Sequence, residues 1–253
     1  MKITFIGNGN MALSIAQGLK KQYEIEVVGR DFTKLELFEK KLGIKIQKHL
    51  LEHFDISNKN LLLCVKPANI KSVGEQFVGE ANVVFSVLAG TTIDAIQTHI
   101  KTKSVVRAMP NLAASVQKSM TTLTGDEAYK EEAQKLFYAI GQTRWLGSEK
   151  EIDIATALAG SGPAYLALVA EALADGAVRE GLKREDAMHI MRGLFDGFGT
   201  LIQDENPALL KDKVMSPGGT TAAGYGALEE NGVRYGCMSA IEKAYQKALQ
   251  LAK

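Results

Sequence analysis

The sequence predicts an α/β fold: a Rossmann-type doubly wound parallel sheet over residues 1–147, then an all-helical domain over residues 148–253. Three observations carry that expectation. Short apolar runs alternate with stretches of helical periodicity through the first part of the chain, the pattern of strands joined by crossover helices. The first run stops at a glycine-rich turn that opens directly into a helix. After Gly147 the strand signals cease, and the remaining residues are dense in Ala, Leu and Gly at helical spacing.

The totals agree with this division. A chain of 253 residues can hold two modest domains, each with a core of its own. Apolar residues at 46% and charged residues at 23% fit a globular protein. The net charge of +1 gives no reason to expect nucleic acid or an anionic membrane as partner. Cys64 and Cys237 cannot form a disulfide framework and read as buried free thiols in a reducing compartment. His49, His53, His99 and His189 lack ligand spacing with Cys or carboxylates. His49 and His53 could share a solvated helical face, and no metal is expected. Met1 to Gly7 does not read as a signal peptide. No span of about 20 apolar residues is expected to cross a membrane. The best candidate, Ala164 to Ala174, is interrupted by Glu171. A cytoplasmic location is therefore expected.

Taken in order, Ile3-Thr4-Phe5-Ile6 is a buried strand, and Gly7-Asn8-Gly9-Asn10-Met11-Ala12 comes directly after it. This is G-x-G-x-x-A in the strand–turn–helix setting of a dinucleotide site. Gly7 permits the tight turn, Gly9 admits the pyrophosphate to the backbone, and Ala12 allows close helix–strand packing. Glu24 to Val28 is the second strand. Its end carries Gly29-Arg30-Asp31, where an NAD site usually has an acidic residue for the ribose. Arg30 offers a planar cation suited to a 2′-phosphate and favours NADP(H). The competing reading gives the ribose to Asp31 and leaves Arg30 in solvent.

Further strands are expected at Asn60–Val65, Val83–Val87, Ser104–Met109, Met120–Thr124 and Thr143–Leu146. Their exits place Lys66-Pro67, Ala89-Gly90 and Pro110-Asn111 on the edge that also carries Gly7, the ligand edge of a doubly wound sheet.

In the helical part, Gly160-Ser161-Gly162-Pro163 is expected to end one helix and start another. Helices from Ala164 to Gly181 and from Arg184 to about Asp204 are thin in bulky side chains, so a partner subunit could be needed to bury their faces. Ser216-Pro217-Gly218-Gly219-Thr220-Thr221 then reads as a capped helix start. Ser216 is the expected N-cap and Pro217 the first helical residue, leaving the N–H groups of Gly218, Gly219 and Thr220 bare for a small anion such as a carboxylate. Thr221 adds a neutral hydroxyl beside them. A capped helix with no ligand is the competing reading.

With these pieces placed, the chain resembles the pyrroline-5-carboxylate reductases over essentially its whole length. The likeness rests on Phe5 to Ala12, Val65-Lys66-Pro67, Arg107-Ala108-Met109-Pro110-Asn111, Ala159 to Tyr165, and Val214 to Thr221. The last two stretches are the specific ones. The resemblance implies reduction of a cyclic imine acid to proline, a helical domain that forms a homodimer, and NADPH as the usual hydride donor with some use of NADH. Further assembly of dimers stays open. It also implies site residues. Ile6 to Ala12 would hold the pyrophosphate and Arg30 the 2′-phosphate. Val65, Lys66, Pro67, Ala89 and Gly90 would line the nicotinamide end. Ser216, Gly218, Gly219, Thr220 and Thr221 would hold the substrate carboxylate, with the Thr221 hydroxyl on the ring nitrogen, where it either donates a proton or only orients. Gly29 departs from the family, whose members often carry Asn before the Arg.

Two other functions compete. A β-hydroxy acid dehydrogenase would need a proton-transfer lysine, and Lys183 and Lys243 lack an active-site context. A non-catalytic NADP sensor would need the first motif but not the stretch from Ser216 to Thr221.

Overall fold

The computed structural model of the chain describes residues 1–251. Its strands are β1 (Lys2–Ile6), β2 (Glu24–Gly29), β3 (Gln47–Leu50), β4 (Phe54–Asp55), β5 (Asn60–Leu63), β6 (Phe77–Val78), β7 (Val83–Ser86), β8 (Val105–Met109), β9 (Ser119–Gly125) and β10 (Gly141–Trp145). Eight of them form one sheet in the order β10-β9-β8-β7-β5-β1-β2-β3, and β4 pairs with β6. Helices α1 (Asn10–Leu19), α2 (Phe32–Leu42), α3 (Ile70–Gly74), α4 (Ile93–His99), α5 (Lys130–Tyr138) and α6 (Glu149–Ala155) belong with the sheet.

The central strands are continuous apolar runs because helices cover both faces. On one face Phe5, Val27, Leu62 and Phe85 pack with Ile15 of α1, Leu35 of α2 and Phe137 of α5. On the other, Ile6, Val28, Leu61 and Val84 pack with Ile70 of α3 and Ile96 of α4. The chain runs outward from β1 to β2 and β3, then returns to β5 on the other side of β1. That reversal opens a crevice at the carboxyl ends of β1 and β5, where ligands of such sheets bind.

The sheet departs from the sequence reading in two places. Strand β3 is polar and sits at the edge, so its Gln47-Lys48-His49-Leu50 pattern carries no apolar signal. Strand β9 runs antiparallel to β8, with Arg107 opposite Thr124, so the sheet is mixed at that end. Residues 110–118 between them hold only a short 3₁₀ turn, Leu112–Val116. A parallel return needs a longer crossover, usually a helix.

By compactness, residues through Ser161 group with the sheet, as does the described stretch from Lys243, while Gly162–Glu242 forms the second unit. The reason is α6, whose Glu149 and Asp153 bind the buried Arg107 of β8.

The second unit holds α7 (Gly162–Arg179), α8 (Arg184–Leu201), α9 (Pro207–Val214), α10 (Thr220–Glu230) and the start of α11 (Val233–Leu251). A π turn over Thr156–Gly160 follows α6, closed by the Ser161 N–H to the Thr156 carbonyl at 3.1 Å, and α7 starts at Gly162 with Pro163 in its first turn, as expected for residues 160–163. The buried apolar residues of this unit are Ala174, Ala187 and Leu210. Ile190, Leu194, Phe198 and Leu201 form an exposed stripe along α8 at helical spacing. A helical unit this thin in its own core needs another surface to cover it. Cys237, expected to be buried, is exposed on α11. The stretch Glu149–Arg179 is also long and apolar enough, by length and composition, to cross a membrane, which the sequence reading did not anticipate. Its first turns are tied through Asp153 to the sheet, and Glu171 and Asp175 interrupt its apolar face.

One polar cluster lies inside the sheet unit. Glu26 of β2 is 1% exposed and accepts hydrogen bonds from Thr4 at 2.6 Å, Lys59 at 2.8 Å and Lys2 at 2.8 Å. His49 lies 3.4 Å away on β3, and His53 has φ 49, so the two histidines do not share a helical face. Burial pulls the Glu26 carboxyl upward, but its bonds from Lys2, Lys59 and Thr4 outweigh that and hold it at about 2. A lowered carboxyl stabilises the fold above its unfolded value and stops doing so as it is protonated. Stability against urea is therefore expected to fall as pH drops from roughly 4.5 towards 2. In Glu26→Gln that part of the slope is expected to vanish from the urea midpoints.

Candidate functional site

The crevice at the β1 and β5 ends is a cleft of about 390 Å³ lined by Ile6, Gly7, Asn8, Gly9, Arg30, Val65 and Lys66, among others. Its floor is set by a close approach of backbones. A Cβ on Gly7 would lie 2.9 Å from the Cys64 carbonyl oxygen, and Gly7 has φ +106. Only glycine permits both. Gly9 is the N-cap of α1 and offers no side-chain acceptor. The first intrahelical bond runs from Leu13 N–H to the Gly9 carbonyl, so the N–H groups of Asn10, Met11 and Ala12 have no acceptor within the helix. They form a positive helix end suited to a phosphate.

Asn10, Met11, Ala12, Pro67, Ala89 and Gly90 are outside the lining of this cleft. Ala12 is fully buried in the core between α1 and the sheet, which suits a packing role. Ala89 and Gly90 lie in the turn after β7, where Gly90 takes φ +66.

The two readings of the β2 end now differ in geometry. Asp31 is the N-cap of α2, where its carboxylate accepts from the Lys34 N–H at 3.2 Å. Arg30 is exposed and lines the cleft, whereas Asp31 does not. Gly29 lines it as well, and a Cβ there would come within 2.9 Å of Leu35.

Leu51, Asn69 and Val73 line the cleft and were not singled out from the sequence. Leu51 follows the polar edge strand β3, which left no apolar signal. Asn69 and Val73 follow Pro67, which starts a 3₁₀ turn leading into α3. A proline opening a helix after a strand on the ligand edge was the available signal for Asn69. Cys64 lines the cleft too, and burial pushes its thiol well above the ordinary range, away from the reactive thiolate.

In the second unit, the stretch from Ser216 forms a different local structure from the one expected. Ser216 to Gly219 is a turn, closed by the Gly219 N–H on the Ser216 carbonyl at 3.1 Å. Pro217 fixes its first corner and Gly218, with φ +72, supplies the left-handed second corner. Helix α10 begins at Thr220 with Gly219 as N-cap, so Ser216 is not the cap and Pro217 is not helical. The Gly219 N–H is spent on the turn. The first intrahelical bond is Ala223 to Gly219, which leaves Thr220, Thr221 and Ala222 as the bare donors. Thr221 and Ala222 take the places of Gly218 and Gly219 in the set expected from the sequence, Gly218 being the corner of the turn. A Cβ on Gly219 would lie 2.5 Å from the Ser216 hydroxyl, so a side chain there would turn that hydroxyl away. Ser216, Thr220 and Thr221 are all outside the buried core of the chain.

Comparison with known proteins bears on both units. A family model described as pyrroline-5-carboxylate reductase dimerisation matches residues 149–251, and one described as NADP oxidoreductase coenzyme F420-dependent matches residues 2–90. The chain is 35% identical to a pyrroline-5-carboxylate reductase of Synechocystis sp., over 100% of this chain and 99% of the relative. It is similar to the solved structure of a pyrroline-5-carboxylate reductase from Coxiella burnetii, at TM-score 0.84 and 33% identity over 99% of this chain and 98% of that one. A Plasmodium falciparum pyrroline carboxylate reductase solved with NADP bound matches at TM-score 0.79 and 25% identity, over 100% of this chain and 98% of that one.

Proposed function

The chain belongs to the pyrroline-5-carboxylate reductase family, and from that premise we propose how its residues carry out the reaction. The reaction is NADPH-dependent reduction of 1-pyrroline-5-carboxylate to L-proline, the last step of proline biosynthesis. The enzyme is a homodimer through its helical domain, which accounts for the exposed stripe on α8. The free cysteines suit a reducing compartment, and a cytoplasmic location completes the reading.

Bound NADPH supplies the hydride to the ring imine carbon, and the protein's part is to bind, orient and polarise. The residues present fit that cofactor. The bare helix end at Asn10 to Ala12 takes the pyrophosphate beside Gly7 and Gly9. Arg30 takes the 2′-phosphate, while Asp31 is committed to capping α2. Val65, Lys66 and Pro67, with Ala89 and Gly90, receive the nicotinamide ribose and ring. Thr220, Thr221 and Ala222 N–H groups, with the Ser216 hydroxyl, hold the substrate carboxylate. The Thr221 hydroxyl then meets the ring nitrogen, which is bonded to the ring carbon that bears the carboxylate.

The observation that carries the reading is the turn Ser216–Gly219 opening α10, an uncapped helix start with three bare donors and the hydroxyls of Thr220 and Thr221 beside them. The test is loss of NADPH absorbance when pyrroline-5-carboxylate is added to the purified chain, with proline as product. NADH in parallel tests the 2′-phosphate contact. Arg30→Ala is expected to raise the KM for NADPH roughly 10–100-fold, the worth of a charge-assisted contact, and to leave NADH kinetics unchanged. Equal losses with both cofactors would remove Arg30 from the phosphate site.

A further inference from the structure

Helix α6 is fastened to the sheet at both ends of the segment that continues it. At its start, Glu149 Oε1 accepts from Arg107 Nη1 at 2.9 Å and from the Ile93 N–H at 2.9 Å. Arg107 Nη2 reaches Asp153, one turn further, at 2.8 Å. At the end of the π turn, the Ala159 carbonyl accepts from the Asn111 side chain at 3.0 Å.

Ile93 is the first residue of α4, so its N–H has no acceptor inside that helix. Thr92 caps α4 through the Ala95 N–H at 3.2 Å, and Glu149 satisfies Ile93. The loop before α4 is Leu88-Ala89-Gly90-Thr91-Thr92. Its near end is held to the sheet by the Val87 N–H on the Leu63 carbonyl at 3.1 Å. Its far end is held by Glu149. The charge involved is unusual for a strand interior. Arg107 is 1% exposed, and its Nε has no partner among the described residues. A buried cation of this kind costs stability that an apolar residue would not, so its presence points to a requirement for geometry.

We propose that Glu149, oriented by Arg107, is a positioning residue for hydride transfer. It fixes the far end of the Ala89–Gly90 loop and so sets how the nicotinamide ring is presented. The inference rests on the assignment of Ala89 and Gly90 to the nicotinamide end. The left-handed turn supports it, because Gly90 at φ +66 makes the loop's path depend on where its two ends are pinned. A displacement of about 1 Å at the reacting centre costs on the order of a hundredfold in rate.

The test uses the full chain with Glu149→Ala, Glu149→Gln and Ala89→Val. Measured are kcat, KM for NADPH and for the imine, thermal midpoint, and the kinetic isotope effect with NADPH deuterated at the transferred position. Glu149→Ala is expected to lower kcat about thirtyfold, with the imine KM within twofold and a raised isotope effect as hydride transfer becomes rate-limiting. Glu149→Gln keeps a carbonyl oxygen for Ile93 and Arg107, and is expected to lose only about threefold with a smaller rise in isotope effect. A lowered thermal midpoint with wild-type kcat and isotope effect in Glu149→Ala would overturn the proposal. If Glu149→Ala does not fold, a wild-type isotope effect in Glu149→Gln overturns it instead. Ala89→Val tests the underlying assignment by itself, since Ala89 is exposed and its substitution spares the core. Wild-type kcat and NADPH KM in Ala89→Val would remove the loop from the nicotinamide end and the proposal with it. An effect there with none in Glu149→Ala leaves the loop assignment standing and removes only the role of Glu149.

Discussion

Thr221→Ala is expected to lower kcat for pyrroline-5-carboxylate about a hundredfold while NADPH affinity stays within twofold of wild type. The substitution removes one hydroxyl at the second position of α10 and puts the best helix former in its place, so the helix start survives. The bare N–H groups of Thr220, residue 221 and Ala222 remain to hold the carboxylate. What is lost is the group proposed to meet the ring nitrogen, whose electron demand changes as hydride arrives at the adjacent carbon. A preorganised donor of that kind is worth about 10²–10³ in rate. The loss falls on kcat because the contact strengthens in the transition state. Thr221→Ser restores the hydroxyl and is expected to recover most of the rate. A pH profile of kcat then separates the two roles. If Thr221 donates a proton, Thr221→Ala steepens the fall in rate as the imine loses its own proton at higher pH. If it only orients, the profile keeps its shape and drops uniformly. An unaltered rate in Thr221→Ala would take the residue out of the mechanism.

The second large effect is on stability. Arg107→Met, which keeps length and removes charge, is expected to destabilise the fold by about 3–5 kcal/mol. Arg107 is the cation for two carboxylates, Glu149 and Asp153, and Asp153 is itself buried. Removing Arg107 leaves the buried Asp153 carboxylate without its cation, which costs more than the pair ever contributed, while Glu149 keeps part of its solvation. The combined variant Arg107→Met/Glu149→Gln/Asp153→Asn removes the charges together and is expected to regain most of the urea stability. The three sites touch, so their effects will not add. Additive losses would show that the cluster is not acting as a unit.

Much of this protein was legible in its sequence because the relevant signals are local. The apolar runs of β1, β2, β5, β7 and β8, the turn from Gly7 to Ala12, and Arg30 at the β2 end each depend on residues a few positions apart. Period, turn chemistry and residue type are sufficient for signals of that range. The stretch from Ser216 to Thr221 was legible as a place where bare donors gather, but not in its detail. Pro217 is compatible with a first helical position and with the corner of a turn, and nothing within the stretch chooses between them. Gly218 at φ +72 and the bond from Gly219 to Ser216 choose the turn, which moves the donors along to Thr220, Thr221 and Ala222.

By itself, then, the sequence determined the apolar strands β1, β2, β5, β7 and β8, the glycine turn, the cation at the β2 end and the family likeness. The tertiary structure decided the polar edge strand β3, the antiparallel β9, the use of Asp31 as a cap, and the grouping of α6 with the sheet. The physical reason is range. Arg107 meets Glu149 and Asp153 across 42 and 46 residues, and Ile93 meets Glu149 across 56. An arginine in an apolar strand, or a glutamate in the first turn of a helix, has many possible partners in a linear text. Only the folded chain brings one of them within hydrogen-bond reach, and burial there makes that pairing obligatory.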